Sequence, residues 1–129
     1  MCIRDRYTTI CNSGPSEFLA GVGLRNRQAI IDKNLQIVEN NLPLLDVFFK
    51  KYKELFSWHK PVAGPIGFVK MNFEEHDKLF AARVLKEKKV LLLPGDIYDY
   101  NGFFRIGFCR NNMPEALAKF EEFVVEHLV

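Results

Sequence analysis

The residues of this chain best suited to chemistry surround Arg105, near the C-terminal end. If residues 103–109 form a strand, alternate side chains share a face, so Phe103, Arg105, Gly107 and Cys109 point the same way. A guanidinium is a planar fork that binds a carboxylate through two parallel hydrogen bonds. Gly107 leaves empty space beside Arg105, and this pattern suggests a carboxylate clamp. The alternative, which the spacing alone favours, is a strand-edge arginine in a surface ion pair.

Other patterns that carry catalysis or bind metal are missing from the sequence. The histidines and cysteines are scattered: His59, His76, His127, Cys2, Cys11 and Cys109. None has the spacing of a metal site or a CxxC pair, so we expect no metal, and reduced thiols indicate a cytoplasmic protein. There is also no nucleophile elbow, phosphate loop or dinucleotide-binding glycine motif. The chain offers a clamp without a catalytic group.

Composition bounds the class of protein. A chain of 129 residues with 48% hydrophobic residues and 12 phenylalanines has enough apolar material for one domain with a real core. Its formal net charge of +2 is too balanced to indicate a nucleic-acid or membrane partner. No apolar run approaches the length of a membrane span.

A long helix is predicted in the first half of the chain. Apolar residues follow three-and-four spacing from Ile31 to Phe56, over roughly seven turns. Pro43 removes a backbone donor and clashes with the preceding turn, so we expect a kink or a break there. Pro61 pushes the residue before it out of helical conformation, and the helix should end ahead of it.

A small sheet with flanking helices is predicted in the second half. Residues 66–69 read as a short strand, the wholly apolar residues 90–93 as a strand covered on both faces, and the Arg105 segment as a third strand. Capping-box patterns, Asn72 with Glu75 and Asn112 with Glu115, predict helices over residues 73–88 and from Asn112 onward. The expected fold is a two-layer α+β domain with a three-stranded sheet and two flanking helices.

The start of the chain suggests that the natural N-terminal part is missing. Residues 1–6 have no periodicity or cap, and they resemble the adaptor-type translations that head gene models assembled from environmental reads. We therefore expect three parts: a non-native leader over residues 1–6, the end of a larger domain with the interdomain helix over 7–56, and a C-terminal small domain over 57–129.

From Tyr7 onward the chain resembles the C-terminal part of class I/II pyridoxal-phosphate-dependent aminotransferases of fold type I. The resemblance rests on the order and spacing of four segments: YTTICNSGPSEFLA, NRQAIIDKNLQIVENNL, SWHKPVAGPIGF and VLLLPGDIYDYNGFFRIGFCR. It implies that the chain is part of a larger α/β enzyme that uses pyridoxal 5'-phosphate. Such enzymes exchange an amino group between an amino acid and a 2-oxo acid, and they are usually homodimers.

The resemblance also implies roles for individual residues. Arg105 occupies the position of the arginine that binds the substrate α-carboxylate. Asn12 and Ser13 precede the long helix, where this family approaches the cofactor phosphate of the partner subunit. Phe68 and residues 98–101 would help wall the substrate pocket, the alternative being plain packing and a surface loop.

The catalytic groups of the family are expected outside this chain. The lysine that forms the Schiff base with the cofactor, the aspartate that pairs with its pyridine nitrogen and the phosphate-binding loop all lie upstream. Lys60 precedes a glycine-containing segment but follows the long helix, so we reject it as that lysine. Two alternatives remain: another fold-type-I enzyme of the lyase or decarboxylase type, and a non-catalytic α+β binding or dimerisation module.

Overall fold

The computed structural model describes residues 13–129, which form four α-helices and one four-stranded sheet. The helices are α1 (Gly14–Arg25), α2 (Arg27–Lys51), α3 (Asp77–Lys88) and α4 (Met113–His127). The strands are β1 (Phe56–Trp58), β2 (Ile66–Met71), β3 (Leu93–Pro94) and β4 (Phe103–Gly107), and a 3₁₀ helix, Gly95–Tyr98, follows β3. The chain divides into two compact units, one up to Asn34 and one from Leu35 to Val129.

The sheet is antiparallel with the strand order β1-β2-β4-β3, so β4 lies in its interior. The α+β class with a small sheet is confirmed, but the prediction of three strands is wrong. The additional strand, β1, falls where the helical spacing was expected to continue to Phe56. Phe56 instead pairs with Met71 on β2 and is buried, because the helix ends at Lys51.

The apolar residues 90–93 do not form the doubly covered strand that was predicted. Only Leu93 and Pro94 pair with β4, and their strand lies at the sheet edge. Leu92 is buried, whereas Leu91 is 68% exposed, so only one face of this segment is covered. Proline fits an edge strand, because the side that lacks the backbone N–H can face away from the neighbouring strand.

α2 is a single helix of 25 residues that continues through Pro43. One long helix was predicted correctly, and the expected break at Pro43 is not observed. Asn41, two residues before Pro43, is buried. Its side-chain amide donates hydrogen bonds of 2.8 Å to the carbonyl oxygens of Phe108 and Arg110. These bonds tie α2 to the segment that follows β4.

The capping predictions have mixed outcomes. α3 begins at Asp77 with His76 as its cap, and not at residue 73 as predicted from Asn72. Asn72 is not free to cap because its side chain accepts a hydrogen bond from the Ser57 hydroxyl at 2.9 Å, which links the end of β2 to β1. α4 does begin after Asn112, but the Asn112 side chain makes no capping hydrogen bond.

The core lies between one face of the sheet and the helices of the second unit. It is built largely of aromatic rings in edge and tilted contacts, a favourable arrangement for their quadrupoles. Its fully buried large side chains are Phe49, Phe56, Phe80, Phe104, Phe108, Phe120, Phe123, Leu45, Leu92, Val69, Val84 and Val124. Within residues 13–129, no helix is both long enough and apolar enough to cross a membrane.

Candidate functional site

Arg105 is held on the sheet face that the core does not use. Its neighbours along β4, Phe104 and Ile106, are 0% and 6% exposed and point into the core, whereas Arg105 is half-buried. The predicted alternation is therefore confirmed. Arg105 pairs with Phe68 on β2 and with Leu93 on β3, so its backbone is fixed from both sides.

The guanidinium of Arg105 is bound to a tyrosine. Its Nη1 donates a hydrogen bond of 2.6 Å to the hydroxyl of Tyr98, and its central carbon lies 5.7 Å from the centroid of that ring. Among residues 13–129, no acidic side chain forms an ion pair with Arg105. The described part of the chain thus does not contain the surface ion pair that was the alternative to a clamp.

Space is open beside the arginine, as the glycine two residues later suggested. A Cβ atom added at Gly107 would have the Pro65 carbonyl oxygen, 4.0 Å away, as its nearest neighbour. A cavity of about 370 Å³ also lies along Arg105 and Gly107 and is bounded by residues 89–93 and the start of α4. Lys89 and Arg110 line the same cavity and add two positive charges to that of Arg105.

Aromatic rings cover the sheet face next to Arg105. Phe68 stacks on Phe103 with their centroids 5.2 Å apart and the rings tilted by 9°. The edges of Tyr98 and Tyr100 meet Phe68 at centroid distances of 6.1 and 6.0 Å. Tyr98 and Tyr100 keep 40% and 61% of their surface exposed, so the cluster forms an accessible apolar wall beside the guanidinium.

The turn that carries Tyr98 is fastened to α3. The buried carboxylate of Asp77 accepts a hydrogen bond of 2.6 Å from the backbone N–H of Asp96, within the 3₁₀ helix. Lys78 forms an ion pair of 2.5 Å with the Asp96 side chain. A side chain at Gly95 would collide with the carbonyl oxygen of Tyr100, so this position requires glycine.

Asp77 is a residue of the site that sequence reasoning missed. An acidic residue in the first turn of a helix is an ordinary signal for a favourable interaction with the helix dipole. Nothing in the sequence indicates that this carboxylate reaches Asp96, 19 residues later. Burial was the feature that could have singled it out, and burial is known only from the fold.

The remaining predicted residues lie away from this face or outside the described residues. Asn12 lies outside residues 13–129. Ser13 is exposed, precedes α1 and makes no capping hydrogen bond through its side chain. Lys60 forms an ion pair of 2.7 Å with Asp46. The role predicted for Phe68 stays a prediction, although the structure brings Phe68 beside Arg105.

The group of residues around Arg105 does not by itself form a site for pyridoxal phosphate. Arg105, Tyr98 and the aromatic wall suit a carboxylate attached to an organic group, and none of them supplies an amine that could bond to an aldehyde. Two further cations, Lys89 and Arg110, line the adjoining cavity. A cofactor would therefore have to be held chiefly by residues other than these.

Comparison with known proteins identifies the fold. No protein-family model matches the chain, and no curated protein does. Among solved structures, a PLP-dependent aminotransferase from Streptococcus suis 89-1591 is 29% identical with a TM-score of 0.85, covering 95% of this chain and 33% of that one. An alanine aminotransferase from Pyrococcus furiosus is 26% identical with a TM-score of 0.73, and the match covers 91% of this chain and 31% of that one.

A third solved structure has the same fold, but its name states a different reaction from that of the two aminotransferases. The PLP-dependent cyclase OrfR has a TM-score of 0.85 at 21% identity, covering 95% of this chain and 34% of that one. The chain thus spans about a third of the length of each of these three solved proteins. It has the α+β small-domain fold of fold-type-I PLP-dependent aminotransferases, and the resemblance predicted from its sequence is confirmed.

Proposed function

We propose that this chain is the substrate-carboxylate-binding part of a PLP-dependent aminotransferase, which exchanges an amino group between an amino acid and a 2-oxo acid. The observation that carries the proposal is the setting of Arg105. Its guanidinium stands on an interior strand beside open space and next to an apolar wall, with no acidic partner among residues 13–129. The likeness to solved aminotransferases at 29% and 26% identity supports the same reading.

The chemistry of Arg105 in such an enzyme is binding and orientation. A bidentate contact fixes the plane of the carboxylate, and that in turn restricts rotation about the bond to the α-carbon. Restricting a substrate to a reactive orientation is a recognised source of rate enhancement. Pyridoxal phosphate, when bound, supplies the electron sink for the bond broken at the α-carbon. This chain contributes the arginine and the apolar wall.

Replacing the arginine in the full-length enzyme that contains this chain tests the proposal. Arg105→Ala should raise the KM for the amino acid about a hundredfold or more, because charged hydrogen bonds to the carboxylate are lost. Arg105→Lys should recover only part of the loss, since an ammonium cannot form the bidentate contact. Arg83→Ala is the matched control, because Arg83 is a partly exposed arginine of α3 that is paired with Glu75. Normal substrate affinity in Arg105→Ala would overturn the assignment.

The reaction class needs a separate measurement, because the cyclase OrfR shares the fold at the same TM-score. A lyase or decarboxylase of fold type I would also bind an amino-acid carboxylate. Incubation with amino acids and a 2-oxo acid acceptor distinguishes them: an aminotransferase forms a new amino acid from the acceptor. If the carbon skeleton of the donor is cleaved or decarboxylated instead, the aminotransferase assignment is wrong and the lyase or decarboxylase alternative holds.

We also propose that the full-length enzyme is a cytoplasmic homodimer, as the family resemblance implies. The alternative is a free-standing binding or dimerisation module without catalysis. The DNA upstream of the codon for Tyr7 separates these two. A reading frame that continues into a lysine-containing cofactor domain supports the enzyme, and a genuine start at Met1 supports the module. Light scattering on the full-length protein then measures the subunit number.

A further inference from the structure

We infer that Tyr98 is a second carboxylate-binding group that acts together with Arg105. The inference rests on the proposed function, since it concerns the same substrate carboxylate. Tyr98 belongs to the 3₁₀ helix after β3, and its hydroxyl lies 2.6 Å from Nη1 of Arg105. The two side chains therefore stand together in the structure.

The direction of the hydrogen bond determines what each partner still has to offer. A protonated guanidinium has five N–H donors and no acceptor, so the tyrosine hydroxyl must accept. Its own O–H hydrogen then points away from Nη1 and stays available as a donor. Four N–H groups of Arg105 also remain. A carboxylate held by the guanidinium fork is thus met by a further O–H donor from Tyr98.

The turn below Tyr98 is built to hold this arrangement. The backbone N–H of Asp99 donates to the Asp96 carbonyl at 3.1 Å, and that of Tyr100 donates to the Gly95 carbonyl at 3.1 Å. Asp99 adopts a left-handed conformation with φ of 60°, which ends the 3₁₀ helix. The hydrogen bond that Asp77 accepts from the Asp96 N–H and the ion pair of Lys78 with Asp96 fasten the same turn to α3. Because the tyrosine is placed in advance, less conformational entropy is lost on binding.

Tyr100 provides an internal comparison. It stands in the same aromatic cluster, touching Phe68 and Phe103, but its hydroxyl makes no hydrogen bond to any residue in the described part of the chain. Removing its hydroxyl changes the same functional group on the same sheet face. The difference between Tyr98 and Tyr100 therefore isolates the contact with Arg105.

The test uses the full-length enzyme, with propanoate as a competitive inhibitor that offers only a carboxylate and a short apolar tail. Tyr98→Phe should raise the inhibition constant of propanoate about tenfold, the loss typical of one hydrogen bond to a charged group. The KM for the amino acid should rise by the same factor, with kcat and the melting temperature unchanged. Tyr100→Phe keeps the aromatic ring and should leave the inhibition constant of propanoate unchanged.

Three outcomes separate this inference from the proposed function. If Arg105→Ala abolishes propanoate inhibition and Tyr98→Phe leaves it intact, the role of Tyr98 is wrong while the clamp stands. If Tyr98→Phe lowers kcat and the melting temperature along with affinity, Tyr98 supports the fold instead of the ligand, and the inference is again wrong. If Arg105→Ala leaves inhibition intact, the proposed function itself fails.

Discussion

The indole ring of Trp58 lies directly against the backbone of Gly67 on the neighbouring strand. A Cβ atom at position 67 would collide with the six-membered part of that ring. On its other side the indole stacks on Phe49, with the centroids 4.8 Å apart and the rings tilted by 22°. Its Nε1 donates a hydrogen bond of 2.7 Å to Asp46 on α2. The absence of a side chain at Gly67 thus allows Trp58 to join α2 to the sheet.

Gly67→Ala should destabilise the fold by displacing Trp58. Forcing an extra carbon into a packed interior typically costs about 1–3 kcal/mol. Urea unfolding followed by the fluorescence of Trp58, the single tryptophan, measures both the loss and the displacement. Gly107→Ala is the matched control, because the space around Gly107 is open. Equal stability of the two variants would show that the contact between Trp58 and Gly67 is not tight.

Asn41→Ala should lower the free energy of unfolding by about 2–4 kcal/mol. The reason is that two carbonyl oxygens, of Phe108 and Arg110, lose their donor at once, and an unsatisfied buried group costs about 1–3 kcal/mol. Asn40→Ala changes an exposed asparagine of the same helix and should be nearly neutral. A small, equal effect of both substitutions in urea unfolding would mean that water replaces the lost donor.

The pairing of Asp46 should make stability depend on pH. Burial acts to raise the pKa of Asp46, but the hydrogen bonds from Lys60 and Trp58 outweigh it and hold the pKa below its ordinary value. The folded state therefore binds this proton less readily than the unfolded state. The stabilisation is present above the unfolded pKa and is lost as the pH falls through the lower folded pKa.

Asp46→Asn measures that contribution. The variant should be less stable than the parent at pH 7, by about 1 kcal/mol or less because Lys60 is largely exposed. The difference should shrink as the pH falls below about 4. Glu39→Gln, at an exposed position of the same helix, should show no such trend. A difference between parent and Asp46→Asn that grows toward acid pH would contradict the direction of the shift.

Structural features that depend only on residues close in the sequence were predicted correctly from local patterns. The alternation along β4 placed Phe104 and Ile106 in the core and Arg105 on the opposite face, because successive side chains of any strand point to opposite faces. The alternation of side chains did not predict β1. Leu55 and Phe56 fit the helical spacing, and only pairing with Met71, 15 residues beyond Phe56, makes them part of a turn and a strand.

Contacts between distant residues could not be predicted. The bond from Arg105 to Tyr98 requires a 3₁₀ helix whose position depends on Asp77, and Asp77 was expected inside a helix that began four residues earlier. Asn72 has the spacing of a helix cap, yet it serves β1 through Ser57. In each case the side chain bonds to a residue distant in the sequence. The periodicity of the sequence carries no information about such a contact. The candidate site was thus predicted at Arg105, whereas Tyr98 was predicted only as part of the pocket wall and not as a partner of Arg105.

Asp77→Ala should loosen the turn that carries Tyr98. The carboxylate accepts the Asp96 N–H through Oδ2, so its removal leaves that donor without a partner. The free energy of unfolding should fall modestly, by about 1–2 kcal/mol. The loss is limited because burying one oxygen of the Asp77 carboxylate without a hydrogen bond already destabilises the wild-type protein. The buried Oδ1 of Asp77 has no hydrogen-bond partner among residues 13–129. The nearby His76 Nδ1, 3.1 Å away, accepts a hydrogen bond from the Lys78 N–H.

Hydrogen exchange resolves the local effect from the global one. The amides of Asp96 and Tyr100 should exchange at least about tenfold faster in Asp77→Ala, while amides of β2 and β4 change only by the loss in global stability. Asp77→Asn keeps one oxygen acceptor and should restore much of the protection. Glu74→Ala removes an exposed carboxylate just before α3 and serves as the control. If protection is lost evenly across the domain, Asp77 supports the core as a whole, and its specific hold on the Tyr98 turn is disproved.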